Sequence, residues 1–225
     1  MLDSLPLVLL GRVKATKDPE KMGRIQVEVD GYGGKVILPW LRMLQATASK
    51  KTGHLFLPEI GDEVAILRGD GNHAEGMLIL GCLYGGSERV PLTPEADDKN
   101  NIKQIVTRAK HEITFDDADD KGSITVKTGD GNMSVVLDVV KKKVTVNSAE
   151  ELEITSTKAM LIKTDDKLTI DAKEIDAKTS AAMTFTASGD FTAEGANSTV
   201  KGSSSGTFDG GGSATIKGGS IKLGK

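Results

Sequence analysis

The feature that most constrains this chain is an apolar repeat of eight residues in its second half. The stretch LEITSTKAMLIKTDDKLTIDAKEIDA (152–177) places Leu152, Met160, Leu168 and Ile175 seven or eight positions apart, each followed two positions later by another apolar residue. Residues two positions apart lie on the same face of a strand. Eight residues are too few for a repeat that contains a helix. The pattern therefore predicts many short strands that share one narrow apolar face.

The repeat runs from Val144 to the C-terminus, with steps of seven to nine residues. In the last three repeats the second apolar position becomes glycine, at Gly202, Gly210 and Gly218, which predicts a cross-section that narrows toward the C-terminus. The predicted core of the repeat consists of Val144, Leu152, Ile154, Met160, Ile162, Leu168, Ile170, Ile175, Met183, Phe185, Phe191, Val200, Phe208 and Ile216.

So thin an apolar stripe cannot form a core from one chain. Each buried aliphatic side chain contributes roughly 1.5–3 kcal/mol, while ordering each backbone residue costs about 1–2 kcal/mol. A lone ribbon would also expose unpaired strand edges. The GGxGxDxUx calcium repeat of single-chain solenoids is absent from the sequence. We therefore expect several copies to close around one axis, and three copies close most tightly around side chains of this size. The expected partner is the chain itself, in a homotrimer.

The first part of the chain has a different pattern. Residues 1–88 hold five or so alternating runs with turn signals, including Asp70-Gly71, which predict a small closed β-barrel, most often an OB-fold. Residues 45–54 (QATASKKTGH) are interpreted as a polar loop. Residues 89–110 are predicted to be a linker that could end in a strand, and 111–225 to be the repeat region.

Composition and the N-terminal residues argue against several classes of protein. The 29 Lys and Arg against 32 Asp and Glu give a net charge of −3, so no basic excess points to nucleic acid. The single cysteine, Cys82, excludes an internal disulfide framework. The apolar run in MLDSLPLVLLGR is too short to span a bilayer and lacks a basic flank, which predicts synthesis in the cytoplasm without a signal peptide.

No candidate site for catalysis, metal or cofactor is favoured. The carboxylates of residues 116–120 could bind calcium, but a solvated turn between two strands is the better interpretation. The GDGN stretches 69–72 and 129–132 lack the Gly-Lys-Ser/Thr that completes a P-loop, and no serine sits in a nucleophile elbow. Three histidines share no metal-ligand spacing: His54, His73 and His111. We expect no cofactor.

Four motifs in order carry a family resemblance. They are GRV…DPEKMGRIQVEV…WLRM (Gly11 to Met43), LFLPEIGDEVAILRGDGN…GMLILGCLYGG (55–86), HEITFDDADDKGSITVKTGDGN (111–132) and the V-x-G octad, as in Val200-Lys201-Gly202. The sequence resembles the central spike proteins of contractile injection systems, that is, the phage baseplate assembly V proteins and the OB-fold and β-helix part of VgrG.

The resemblance implies an all-β fold, with an N-terminal OB-fold barrel followed by an intertwined homotrimeric triangular β-helix (a β-prism). It implies a non-enzymatic, membrane-piercing spike that contacts the target membrane transiently. The sequence does not specify the kind of injection machine, which can be a phage tail, a tailocin, a type VI-like system or an extracellular injection system. There is no room before the barrel for the hub domains of VgrG, so a separate hub or baseplate protein is implied.

The C-terminal segment also departs from many short phage spikes, because it lacks the iron-binding His-x-His apex. A blunt trimer end would expose apolar side chains and strand edges, so we expect a PAAR-type tip protein to cap it. The residues expected to bind this tip protein are Ser220, Ile221, Lys222, Leu223, Gly224 and Lys225.

Two other classes of function compete with the spike. A single-strand nucleic-acid binder would need a basic groove with stacking aromatics, yet residues 1–88 hold 10 Lys and Arg, 11 Asp and Glu, and four aromatic residues. A β-helical polysaccharide-binding or polysaccharide-active fibre protein is the main alternative. Such enzymes need a wide groove with paired carboxylates, which an eight-residue wall offers poorly.

Overall fold

A computed structural model of the protein describes residues 7–69, 76–85, 90 and 99–222. These residues form thirteen strands and no helix, so none of them provides a helical membrane span. The chain divides into two compact units, Met1–Ser156 and Thr157–Lys225. The first unit holds all thirteen strands, in two larger sheets and one small hairpin.

The first sheet forms a small barrel. Its strands and those of the hairpin are β1 (Val8–Ala15), β2 (Gln26–Gly31), β3 (Gly34–Ile37), β4 (Arg42–Met43), β5 (Ala48–Ser49), β6 (Thr52–Gly53), β7 (Glu63–Leu67) and β8 (Leu78–Leu83). Six of them follow the order β3-β2-β1-β7-β8-β4, and only β4 runs parallel to its neighbour. Two backbone hydrogen bonds between Ile25 and Leu41, of 2.9 and 2.8 Å, join the start of β2 to the start of β4 and close the sheet.

The barrel core follows from strict alternation along its strands. In β1, Leu9, Gly11 and Val13 point inward, while Val8 and Leu10 point outward. Branched aliphatic side chains dominate the interior, as expected for a barrel too small to hold a ligand. The buried core is Leu9, Val13, Ile25, Val27, Val29, Leu38, Leu41, Val64, Ile66, Met77 and Ile79. Met43 and Leu57 pack against this core, and Trp40, the one tryptophan of the sequence, is half-buried.

An ionic clamp shapes the loop between β1 and β2. The Asp18 side chain is only 2% exposed and accepts backbone N–H groups from Glu20 (3.0 Å), Met22 (2.9 Å) and Arg24 (3.3 Å). Arg24 also donates two guanidinium hydrogen bonds to it, of 3.0 and 2.8 Å. The Arg24 guanidinium, aided by the three backbone donors, holds the pKa of Asp18 well below its ordinary value. The DPEKMGR segment therefore folds around one buried carboxylate.

The segment predicted as a polar loop, residues 45–54, contains the short β5–β6 hairpin. Lys50 and Lys51 form its turn, and Lys51 adopts a φ of 64°. Sequence alternation could not reveal a hairpin whose strands have two residues each. The predicted Asp70-Gly71 turn and His73 lie outside the described residues.

The second sheet is an antiparallel meander. Its strands are β9 (Ile102–Val106), β10 (Glu112–Asp116), β11 (Ser123–Lys127), β12 (Met133–Asp138) and β13 (Lys143–Ser148). The β9 strand lies inside the interval 89–110 that was predicted as a linker, and it pairs with β10 across a turn at residues 107–111. The carboxylates of residues 116–120 lie at the β10–β11 connection, and GDGN (129–132) forms the β11–β12 turn.

The residues after β13 differ from both sheets. Residues 151–222 contain bends and turns and form no strand within one chain, and every one of them is exposed. Strands of an intertwined assembly would take their hydrogen-bond partners from other copies, which a single chain cannot supply.

Candidate assembly surface

The β9–β13 sheet carries two continuous rows of side chains on one face. Strand register places Ile105, Ile113, Val126, Val135 and Val146 side by side in the first row. The second row contains Lys103, Phe115, Ile124, Leu137 and Val144. Nine of the ten positions are apolar. We call this face the neck face.

None of the residues that the structure describes covers the neck face. Its nine apolar side chains are between 36% and 66% exposed. Full burial of such a side chain contributes roughly 1.5–3 kcal/mol, so covering this face offers about 1 kcal/mol for each residue. Contiguous apolar patches of this extent on soluble proteins generally mark interaction sites.

The opposite face of the same sheet carries a polar network, within which Gln104 Oε1 is buried without a hydrogen-bond partner among the described residues. Gln104 Nε2 donates to Thr114 Oγ1 (3.1 Å), and Thr114 Oγ1 donates to Glu112 Oε1 (3.1 Å). Lys127 Nζ forms an ion pair with the same Glu112 oxygen at 3.1 Å. Because these groups pair with one another across three strands, this face is suited to water. The contrast between the two faces indicates that the neck face is the side of the sheet that contacts a partner.

The turns that hold the sheet are fixed by local hydrogen bonds. The Thr128 hydroxyl and the backbone N–H of Asn132 bind the Asp130 carboxylate and lower the pKa of Asp130. The backbone N–H of Lys141 does the same for Asp138 and lowers its pKa. His111 Nδ1 accepts the Gly129 N–H at 3.1 Å. This histidine therefore orders a turn, and the described residues contain no group of three or more potential metal ligands.

The neck face leads directly into the predicted core of the octads. Val144 is 66% exposed and belongs both to β13 and to the first octad. The structure brings Phe185 and Phe191 within 6.4 Å of each other, measured between ring centroids. The other predicted core residues are also exposed, at between 46% and 84%: Leu152, Ile154, Met160, Ile162, Leu168, Ile170, Ile175, Met183, Val200, Phe208 and Ile216.

Two of the glycines that replace the second apolar residue, Gly202 and Gly210, lie where the backbone leaves no room for a side chain. A Cβ on Gly202 would lie 2.5 Å from the Ser205 carbonyl oxygen. A Cβ on Gly210 would overlap the carbonyl oxygen of Ser213. The turn after Gly210 is closed by a Ser213 N–H donated to the Gly210 carbonyl (3.2 Å). At Gly218 a Cβ would make only ordinary contacts, so tight turns exclude a side chain at two of the three glycines, and the narrowing of the cross-section stays a prediction.

This geometry gives a prediction for the distal repeats. We expect Gly210→Ala to destabilise the local turn by about 1–3 kcal/mol, because the added methyl group meets backbone rather than a movable side chain. Trypsin cleavage of the full chain after Lys201 and Lys217, followed by mass spectrometry, should become about tenfold faster. Gly212→Ala is the matched control, since nothing lies within 4 Å of its Cβ position. Equal cleavage rates in the two variants would contradict the prediction.

The barrel has an apolar outer surface of its own. Val8 and Leu10 of β1 point away from the core and are 44% and 55% exposed. On β8, which β7 separates from β1, Leu80 and Leu83 are also exposed, as is the adjoining Tyr84. We call these five residues the barrel patch. A surface of this kind is suited to contact with another protein.

At the C-terminus, the residues expected to bind a tip protein are only partly described. Ser220, Ile221 and Lys222 are exposed, with Ile221 at 53%. Leu223, Gly224 and Lys225 lie outside the described residues.

Comparison with known families identifies the barrel. Residues 9–84 match the family model for the type VI secretion system/phage-baseplate injector OB domain. Over these residues the barrel is similar to an injector OB domain. The bounds of the match agree with the closed sheet, which extends from Val8 to Leu83. No curated protein matches the chain.

This match confirms the resemblance to baseplate and spike proteins of injection systems, and it confirms the all-β fold with an OB-fold at its N-terminus. The matched family is a structural domain of the injection apparatus. The OB domain covers about a third of the chain, and the neck face and octads lie beyond it.

Sequence reasoning missed the larger part of the neck face. The predicted core began at Val144, whereas the two rows also contain seven apolar residues before it: Ile105, Ile113, Phe115, Ile124, Val126, Val135 and Leu137. The signal was present, because HEITF, SITVK and MSVVLD alternate as strands do. Alternation within each run does not specify the register between strands, and that register joins the runs into one surface.

Proposed function

We propose that this protein is the trimeric central spike of a contractile injection machine, carried on the tube by its injector OB domain. The observation that carries the proposal is the neck face, two uncovered apolar rows that meet the octad repeat at Val144 and Val146. The OB-domain match supports membership of the injection apparatus at the level of the baseplate.

In the proposed trimer, the neck faces of three copies turn inward around a common axis. The polar network of Glu112, Thr114 and Lys127 then faces solvent, where its charges stay hydrated. Beyond β13 the octads of the three chains intertwine, so that each backbone finds strand partners in the other two. Trimerisation by three identical heterologous contacts closes into a ring and leaves no copy with an uncovered neck face.

The proposed mechanism is mechanical. Chains that are hydrogen-bonded to one another along their length form a stiff rod, and a narrow tip concentrates the applied force on a small area of the target membrane. No bond chemistry is required, and we propose no catalytic, metal or cofactor role for any residue of the chain. The kind of machine stays open among a phage tail, a tailocin, a type VI-like system and an extracellular injection system.

Two further partners belong to the proposal. A hub or baseplate protein would contact the injector OB domain, and the barrel patch offers apolar surface for that contact. A PAAR-type tip protein would cover the apolar layer at Ile221 and the residues that follow it. Both partners are expected from the blunt apolar surfaces that a bare trimer would expose to water.

The test of the proposal is the absolute mass of the full chain in solution. Light scattering after size-exclusion chromatography should give three times the 23.7 kDa of one chain, with no change on dilution through the micromolar range. A stable monomer with well-ordered octads would refute the spike, and a single-chain solenoid would then be the better description.

A further inference from the structure

We propose that a groove in the injector OB domain binds an acidic peptide segment with an apolar side chain, supplied by a partner protein. The groove lies between β4 and the β5–β6 hairpin, and we call it the hairpin groove. One chain forms all of it, so this inference goes beyond the trimeric spike and does not depend on trimer formation.

The hairpin groove has the size of a binding site. Its volume is about 530 Å³, within the roughly 300–1,000 Å³ that is usual for ligand pockets. Arg42 and Met43 of β4 contribute to its lining, together with Lys51, His54 and Leu55 from the hairpin and the residues after it.

The polar part of the lining is basic. Its charged side chains are Arg42 and Lys51, and none of the lining residues is an aspartate or a glutamate. Neither Arg42 nor Lys51 forms an ion pair with a carboxylate in the part of the chain that the structure describes. A carboxylate from another molecule would therefore complement the groove without displacing an existing partner.

The apolar part is formed by methionine and leucine. Met22 is 63% exposed and Leu55 is 71% exposed, and Met43 lies with them in the lining. Methionine side chains are flexible and polarisable, so they adapt to aliphatic side chains of different shape. An acidic segment with one aliphatic residue would contact both parts of the groove.

The walls are held in place before any ligand arrives. His54 N–H donates to the Thr47 carbonyl (3.0 Å), and a second hydrogen bond of 2.9 Å joins Thr47 Oγ1 to His54 Nδ1. Gln45 Oε1 accepts the Phe56 N–H at 3.3 Å. Because a Cβ on Gly53 would lie 2.5 Å from the Thr47 carbonyl oxygen, the hairpin packs too closely there for a side chain. A preorganised groove loses little conformational entropy on binding.

A peptide fits these features better than a nucleic acid does. Single-stranded nucleic acids bind OB-folds through basic tracks along the backbone and through aromatic platforms for the bases. The hairpin groove has aliphatic side chains where such a platform would be needed, and His54 is its one aromatic lining residue among those described. The charge balance of the barrel region, 10 basic against 11 acidic residues, gives no extended basic track.

The test uses the full chain and a short fluorescein-labelled peptide of alternating aspartate and leucine, followed by fluorescence anisotropy. Arg42→Gln with Lys51→Gln should weaken binding about tenfold, because two exposed charge contacts are lost. The control pair, Lys50→Gln with Lys121→Gln, removes the same charge outside the groove and should change affinity by less than about twofold. Peptides with asparagine for aspartate, or serine for leucine, should each bind about tenfold more weakly.

Several results would overturn the inference. They are equal losses in the two variant pairs, undiminished binding of the serine peptide, absence of binding by the aspartate–leucine peptide, and tighter binding of an oligothymidylate. In light scattering, the Arg42→Gln, Lys51→Gln variant should have the same number of chains per particle as the natural protein, since neither residue lies on the neck face. A failure of peptide binding at the hairpin groove can therefore be distinguished from a failure of trimer formation.

Discussion

Val126→Lys in the full chain should prevent the proposed trimer from forming, so that single chains are measured at micromolar concentration. Val126 lies in the middle of the first row of the neck face, between Ile113 and Val135. The substitution would bring three lysines together near the trimer axis without partners, where burial of an unpaired charge is costly. We expect assembly to weaken at least about 100-fold, measured as the loss of the threefold mass on dilution.

Thr125→Lys is the control for this variant. Thr125 is the preceding residue of β11 and points to the polar face, where a lysine can reach water. Its mass should stay that of the trimer. If both variants assemble normally, the neck face does not form the interface. If both fail to assemble while the OB domain stays folded, β11 is sensitive to lysine on either face and the assignment of the inward face is wrong.

The second large effect is expected at the Asp18 clamp of the OB domain. Asp18→Asn removes the charge that binds the Arg24 guanidinium and weakens an acceptor of three backbone N–H groups. We expect the melting temperature of the barrel to fall by roughly 5–10 °C. Trp40 is the one tryptophan of the sequence and lies in the barrel, so its fluorescence reports this transition apart from the octads. Asp30→Asn, an exposed position on β2, should leave the melting temperature nearly unchanged.

The clamp also predicts a pH dependence. The pKa of Asp18 is lowered in the folded protein from its ordinary value of 3.8, so its stabilising contribution is present above that value. As pH falls below 3.8 and approaches the lower folded-state pKa, the contribution is lost. The difference in stability between the natural chain and Asp18→Asn should therefore be constant from pH 7 to about pH 5 and shrink below about pH 4. A difference that grows on acidification would contradict the clamp.

The OB domain was predictable because its signals are local. Alternation in GRIQVEV and DEVAILR places Val27, Val64 and Ile66 inside the barrel, and the structure buries all three completely. The Asp18 clamp was not predictable in the same way. The sequence of the DPEKMGR loop does not show that the Asp18 carboxylate is buried, and only the structure shows that Arg24 donates to it.

The boundaries of the second sheet also could not be predicted from local sequence alone. Residues 102–106 (IKQIV) follow a polar stretch and were placed at the end of a linker, and their strand identity depends on pairing with β10. The neck face likewise arises only when five separate alternating runs are placed in register.

By itself, the sequence determined that the chain is all-β, that it begins with a small barrel, and that its octads are too thin to form a core alone. These conclusions rest on periodicity and composition, which each segment carries within itself. The tertiary structure alone decided which face of the β9–β13 sheet is uncovered and which charge organises the β1–β2 loop. The uncovered face depends on the register between separate strands, and the loop depends on a burial of Asp18 that brings the nearby Arg24 onto its carboxylate. A linear pattern specifies neither of these contacts.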